Sequence, residues 1–235
     1  MKNIKLFEEA SQYEALKDGF EYPTVSYVKE TDMVHYMEKS LYEWVDLGLP
    51  SGLKWAAWNV GATKPEEFGL YFAWGETQGY TGITDTKKFK WSDYTLCDGT
   101  DSNMAKYNAT DGLITLEASD DAVITTDSSC RMPTMAECNE LMAKTTSEWV
   151  GNYNGTGVAG RIFTSKVNGN SIFVPAAGYC GDGSVVGVGN YGPLWSSSLG
   201  SSGVQIAYSL YFHSGIVAER YYLRCCGLPV RAVKE

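Results

Sequence analysis

Three features of the 235-residue chain predict an α+β fold built from short strands, few helices and long irregular loops. Apolar and polar residues alternate over short runs such as Ala207-Tyr208-Ser209-Leu210-Tyr211-Phe212-His213, which is the period of a half-buried strand. The 25 glycines break the chain into short pieces, so few runs are long enough to be anything but short elements joined by turns. Helical periodicity is confined to a few brief stretches.

Composition narrows the function. Hydrophobic residues make up 44% of the chain and charged residues 20%, enough to bury a core. The 16 Tyr and 7 Trp, alongside many glycines, suggest a surface rich in amphipathic rings, which suit a binding surface. A net charge of -9 repels phosphate backbones, so nucleic acid is not expected as a partner. No apolar run approaches the length of a membrane span, so membrane insertion is not expected either. The first twenty residues lack an apolar export core and a small-residue cleavage site, so no signal peptide is expected. Cys97, Cys130, Cys138, Cys180, Cys225 and Cys226 show no CxxC spacing, and in a reducing compartment they would be free thiols.

Taken in order, residues 1–40 stand apart. Leu6, Phe7, Ala10, Tyr13 and Leu16 recur at helical spacing and predict a short amphipathic helix over 6–17. Residues 24–36 alternate on either side of Lys29-Glu30-Thr31-Asp32, which predicts a hairpin. A helix and one hairpin are too small to fold alone. Residues 1–40 therefore read as an N-terminal adaptor or assembly segment, docking on a neighbour or a copy of itself, or else packing on its own C-terminal domain.

Residues 41–235 form the second predicted unit. Two short strands flank the turn Leu49-Pro50-Ser51-Gly52. Pro65 followed by Glu66 and Glu67 suits the start of a helix. Residues 78–130 are polar and weakly patterned, and predict surface loops. Thr134 and Glu137 form a capping box ahead of an apolar face of Met135, Cys138, Leu141 and Met142. Asn168-Gly169 between two strand-like runs predicts a tight type I′ turn. A Gly-rich loop over 181–192 precedes three further alternating segments that end at Val233. No internal repeat of fixed period is found.

Catalytic chemistry is hard to place. His35 and His213 lie in different regions, which disfavours a Ser-His-Asp triad. No His/Cys set has zinc spacing. GDGSVVG at 181–187 puts its last glycine one place too far for a dinucleotide fingerprint. Asp98 to Asn103 offers oxygen ligands without the EF-hand spacing. Asp120-Asp121 reads as a solvated pair rather than a general acid/base couple. Asn108-Ala109-Thr110 and Asn154-Gly155-Thr156 match the glycosylation sequon and mark loops. No catalytic residue, metal ligand or cofactor is expected, and the chain reads as a non-enzyme.

One resemblance sharpens this. VDLGLPSGLKWAAWNVGA at 45–62, FGLYFAWGE at 68–76, CRMPT at 130–134, NGNSIFVPAAG at 168–178, LWSSS at 194–198 and GLPVR at 227–231 follow one another in a family order. The pattern resembles the "major paralogous domain" family of gut Bacteroidetes, similar to the formylglycine-generating-enzyme type of C-type lectin fold. It covers residues 41–235 and is more specific for fold than for function.

The last forty residues also resemble the variable region of diversity-generating-retroelement proteins, which bacteria and phages use for receptor binding. The resemblance implies a buried framework of Trp195, Ser196, Ser197, Ser198, Ala207, Leu210, Phe212, Ser214, Gly215, Val217, Arg224, Gly227, Val230 and Arg231 within a variable region 195–233. It implies ligand-binding positions at Ile206, Ser209, Tyr211, His213, Ile216, Ala218, Tyr221, Tyr222, Leu223, Cys225, Cys226 and Leu228, all pointing outward. Each of these twelve is reachable from an Asn codon randomised at its adenines, whereas Gln205 and Glu219 are not. The N-terminal strings LFEEASQYEA at 6–15, VSYV at 25–28 and VHY at 34–36 resemble a leader of Bacteroides-phage structural proteins. The expected partner is a cell-surface protein or glycan receptor, with a homo-oligomer or larger virion assembly formed through residues 1–40. The expected location is a virion surface, in a tail or head fibre, or a bacterial cell surface. The alternatives are a fixed-specificity lectin or adhesin, and a formylglycine-generating-type oxidase. The oxidase needs a matched active-site cysteine pair, and the adjacent Cys225 and Cys226 do not resemble one.

Overall fold

The computed structural model describes residues 42–235 in full and, ahead of them, the backbone of three strands. Contacts divide the chain into Met1–Leu41 and Tyr42–Glu235. In the first unit β1 (Asn3–Phe7) pairs parallel with β2 (Thr24–Val28), and β2 pairs antiparallel with β3 (Met33–Met37). The β2–β3 pairing is the predicted hairpin. Leu6 and Phe7 correct the predicted helix: both lie in β1, opposite Tyr27 and Val28. A neighbouring strand supplies partners for the backbone, and this overrides a helical spacing carried by few residues. The remainder of that predicted helix lies outside the described residues.

The second unit is mixed and strand-rich, with five small sheets and one α-helix among the described residues. Its two ends meet. β4 (Trp44–Asp46) and β5 (Lys54–Ala56) pair around the predicted turn, where Gly52 N donates to Leu49 O at 2.8 Å. The last strand, β16 (Val233–Lys234), adds to the other edge of β5. β6 (Tyr71–Phe72) pairs with β15 (Leu228–Pro229). The C-terminal strands thus tie the end of the chain to the start of the domain. No described helix is long and apolar enough to cross a membrane.

The helix α1 (Met135–Lys144) begins as its sequence predicts. Thr134 Oγ1 accepts from Glu137 N, and Thr134 N donates to Glu137 Oε2 at 2.8 Å. Met135, Cys138 and Leu141 are buried and Met142 is half-buried against the same cluster. Arg131 adds a two-pronged contact to the Glu137 carboxylate at 2.7 and 2.8 Å. Burial pushes the Glu137 carboxyl up, but the Arg131 guanidinium and the Thr134 amide more than reverse it, and the net shift is down. A depressed carboxylate stabilises the fold above its unfolded value of about 4.3 and loses that contribution as pH falls through its folded value. Glu137→Gln is therefore expected to cost about 1 kcal/mol at pH 7, with the gap to wild type closing in acid. Urea midpoints at pH 7 and pH 3.5 check this, and a gap that stays constant over that range contradicts it.

β7 (Thr145–Val150), β8 (Gly160–Ser165) and β9 (Ser171–Pro175) follow as an antiparallel sheet. The predicted type I′ turn is corrected. Only Gly169 takes positive φ (+77°), and Ser165 N reaches Asn170 O at 2.8 Å, so the loop is longer than two residues. The amides of Asn168 and Asn170 both donate to Asp46 O, at 3.0 and 2.8 Å, and these tertiary bonds select the wider loop.

Three other expectations change. Pro65-Glu66-Glu67 remains a turn, because Gly69 takes φ +75° and Leu70 N bonds to Val60 O. Residues 78–130 are irregular as expected, yet they contribute Phe89, Tyr94, Met104, Tyr107, Ala122 and Val123 to the core. Asp121 is buried, not solvated. It accepts from the amides of Val123, Ile124 and Met132, while Asp120 pairs with Lys106. All six cysteines are free thiols.

Candidate functional site

The C-terminal region forms the sheet β12 (Tyr191–Leu199), β13 (Ile206–His213) and β14 (Val217–Leu223), with β14 at one edge. Register separates its two faces. Tyr191 lies opposite His213, Pro193 opposite Tyr211, Tyr211 opposite Ala218 and Ser209 opposite Arg220. Tyr222 lies opposite Ala207. Alternation places these residues on one face, and Leu210, Phe212, Val217, Glu219 and Tyr221 on the other. Leu210 and Phe212 pack into the cluster that contains α1, so that second face is largely core.

The first face begins in the core and ends in solvent. Trp195 is fully buried, with Tyr222 edge-on to it at 6.3 Å. Tyr222 then meets Tyr179 at 5.1 Å, Tyr179 meets Tyr191 at 6.3 Å, and Tyr191 meets Tyr211 at 5.8 Å. His213 follows at 5.9 Å from Tyr211, and the Arg220 guanidinium lies over the Tyr211 ring at 5.5 Å. The four tyrosines are half-buried.

A cavity of about 710 Å³ adjoins this ladder, sharing Tyr179 with it. That volume lies within the range of small-ligand sites. Its walls are Phe89, Lys90, Trp91 and Ser92 from one loop, Gly181, Asp182, Ser184 and Val186 from the hairpin β10 (Tyr179–Gly181) and β11 (Ser184–Val186), and Leu223, Cys225 and Cys226. Lys90 and Asp182 pair across the rim at 3.0 Å. Gly187 sets the hairpin's exit. Its φ is +78°, and a Cβ there would stand 2.1 Å from the Tyr191 ring.

The twelve predicted positions do not form one outward surface. Tyr211, His213, Ala218 and Tyr222 are half-buried, the two tyrosines and Ala218 on the ladder face and His213 at its end. Ile216, Tyr221 and Leu223 are the most exposed, at 39%, 58% and 44%. Tyr221 projects from the opposite face to Tyr222, and Leu223 lines the cavity. Five positions are corrected. Ile206, Ser209, Cys225, Cys226 and Leu228 are buried. Ser209 Oγ donates to Arg220 O, and Leu228 is held in the β15–β6 pair. Strand pairing turns a residue inward regardless of how freely its codon could vary. Cys225 and Cys226 are buried but still line the cavity floor. Cys226 is held down by a hydrogen bond from Cys225, whose own thiol is pushed up. On the framework side, Ser198 and Val217 are half-buried and Ser214 and Gly215 are exposed, against the expectation of burial. The latter two form the turn that Arg161 fastens from below, donating to His213 O and Ser214 O at 2.8 and 3.1 Å.

Sequence reasoning missed Phe89, Trp91, Tyr179, Val186 and Tyr191. A usable signal was present: valines in a Gly-rich loop have no core to serve, and Val185, Val186 and Val188 are indeed exposed. Among the described residues no group of three or more His, Cys, Asp or Glu is placed to hold a metal ion. The chain matches no protein-family model, no curated protein and no solved structure, so the geometry of the ladder and its cavity carries the functional reading.

Proposed function

We propose that the chain is a receptor- or ligand-binding protein of a Bacteroidales phage or its host, presenting its C-terminal face on a C-type-lectin-like scaffold of the "major paralogous domain" type. Residues 1–40 serve as its assembly segment and the protein is not an enzyme. One observation carries the reading: Tyr179, Tyr191, Tyr211 and Tyr222 form a continuous half-exposed ladder beside an aromatic-walled cavity. Tyrosines held rigidly by a sheet give large contact area at low entropy cost. The six motifs in family order support the scaffold, and the Asn-derived codon set supports variation on its face. The binding set is now Tyr211, His213, Ala218, Tyr222 and Leu223, joined by Tyr179, Tyr191 and Trp91.

The test is binding of the labelled full chain to intact Bacteroidales cells. Tyr211→Ala is expected to weaken adhesion about thirty-fold, as for a central anchor worth ~2 kcal/mol. Tyr221→Ala, on the opposite face, is expected to leave it within about two-fold. Equal losses from both variants would remove the ladder as the binding face. Variation is tested in the genome, by an Asn-rich near-copy of the segment coding for residues 195–233 beside a reverse-transcriptase gene. Absence of both removes the diversification claim.

A further inference from the structure

The tyrosine ladder carries a second property, its unsatisfied polarity. The hydroxyls of Tyr179, Tyr191, Tyr211 and Tyr222 make no hydrogen bond with any described residue, in contrast to Tyr208, whose hydroxyl meets Ser201 Oγ at 2.6 Å. Successive rings are stacked or tilted on one another with centroids 5.1 to 6.3 Å apart, so the four phenols belong to one continuous patch. Burial raises the Tyr222 phenol, and the phenols of Tyr211, Tyr191 and Tyr179 add to that rise. Burial likewise raises Tyr179 and Tyr191. These phenols stay protonated at neutral pH and are donors.

Arg220 gives the patch its sign. It is exposed, lies on the Tyr211 ring, and makes no ion pair with any described residue. The neighbouring carboxylates are engaged elsewhere: Glu219 points from the other face and accepts from Asn139, and Asp182 pairs with Lys90. An unpaired guanidinium among free phenol donors is locally complementary to an acceptor-rich anion, against the overall negative charge of the chain. The patch projects from the face of the sheet, although Arg220 and Tyr222 belong to the edge strand β14, whose free backbone groups lie in the plane of the sheet. An extended peptide would gain most from the unpaired backbone of that edge. A ligand on the face meets ring surfaces, hydroxyls, the guanidinium, the small Ala218 side chain and, at one end, the His213 imidazole. A pyranose offers a C–H face to the rings and hydroxyls to the phenols, and a carboxylate on it would meet Arg220.

We infer that the Tyr179–Tyr191–Tyr211–Tyr222 patch with Arg220 is a site for a carboxylate-bearing sugar residue, such as a uronic or sialic acid at a glycan end. This rests on the ladder being the binding face. The test is an array of uronate- and sialic-acid-terminated glycans, their carboxyl-reduced counterparts, neutral glycans and Asp/Glu-rich peptides, probed with the full chain and followed by titration of the best binder. Acidic glycans are expected to bind at least about ten-fold more tightly than their carboxyl-reduced forms, with Arg220→Gln erasing the difference and Tyr222→Phe weakening both forms several-fold. Thermal melts identical to wild type confirm that both variants are folded. Equal binding of reduced forms, binding only of acidic peptides or neutral glycans, or no binding at all overturns the inference. If the array fails but cell adhesion still depends on Tyr211, the ligand class falls and the face stands. If acidic glycans bind but neither Arg220→Gln nor Tyr211→Ala changes that, both fall.

Discussion

Arg224→Leu is expected to destabilise the domain by about 3–5 kcal/mol and to abolish the cavity with it. The side chain is fully buried and is enclosed by three rings, with its guanidinium 5.0 Å from Trp74, 5.4 Å from Tyr94 and 5.7 Å from Tyr107. It donates to Val204 O at 2.8 Å, Lys106 O at 3.0 Å, Tyr107 O at 3.2 Å and the Tyr94 hydroxyl at 2.9 Å. Leucine fills part of the volume but leaves the buried Tyr107 carbonyl and the part-buried carbonyls of Lys106 and Val204 without this donor. Each such orphan costs about 1–3 kcal/mol before relaxation. Lysine does not repair the site, because one ammonium cannot reproduce a planar fork. Arg224 also joins the end of β14 to the loop over 104–107, so its loss frees Leu223, Cys225 and Cys226 together. Urea denaturation of wild type, Arg224→Leu and Arg224→Lys measures this. A loss under about 1 kcal/mol for leucine would mean that water or a repacked loop satisfies those carbonyls.

Lys87→Met is expected to cost a similar ~3–5 kcal/mol, for a different reason. Lys87 and Glu76 are both buried, and Lys87 Nζ lies 2.6 Å from Glu76 Oε2 and 2.7 Å from Asp93 O. Glu76 Oε1 accepts from Thr95 N at 2.8 Å. Removing the cation leaves a carboxylate out of water with a single backbone donor. Removing both charges does not, and Asp93, the second carboxylate at 3.4 Å from Lys87 Nζ, keeps the amides of Lys88 and Lys90, so Lys87→Met with Glu76→Leu is expected to recover much of the loss. The pair fixes the loop that carries Phe89, Lys90 and Trp91, three walls of the cavity. The single variant is therefore expected to lose ligand even where it remains folded. A double variant no more stable than the single would show that the loop's packing, and not the ion pair, is the larger contribution.

Much of the scaffold was legible in the residues. The capping box at Thr134 and Glu137, the Leu49–Gly52 turn, the hairpin over 24–36 and the alternation of β13 all rest on interactions within a few residues of chain, and local chemistry specifies those. Leu210 and Phe212 could be placed inward, and Ser209 and Tyr211 on the opposite face, for the same reason. Local rules failed where a distant partner outbid them. The amides of Asn168 and Asn170 found Asp46 and widened a turn that Asn-Gly alone would have tightened. The backbone of Leu6 and Phe7 found β2.

The candidate site was legible only in part, and the cause lies in sheet geometry. The residues themselves established an acidic chain, rich in tyrosine, whose last segment alternates like a strand and carries rings at Tyr211, Tyr221 and Tyr222. Only the tertiary structure decided which of those rings work together. Tyr221 and Tyr222 are adjacent in sequence and therefore point to opposite faces of β14. Tyr179 and Tyr191 lie far from Tyr222 in sequence but stack into one ladder with it. Whether a side chain meets solvent or core depends on what covers each face of the sheet, and α1 and the loops over 89–94 and 179–191 supply that cover from elsewhere in the chain. Periodicity can say that two faces exist. It takes the packed neighbours to say which face is free to bind.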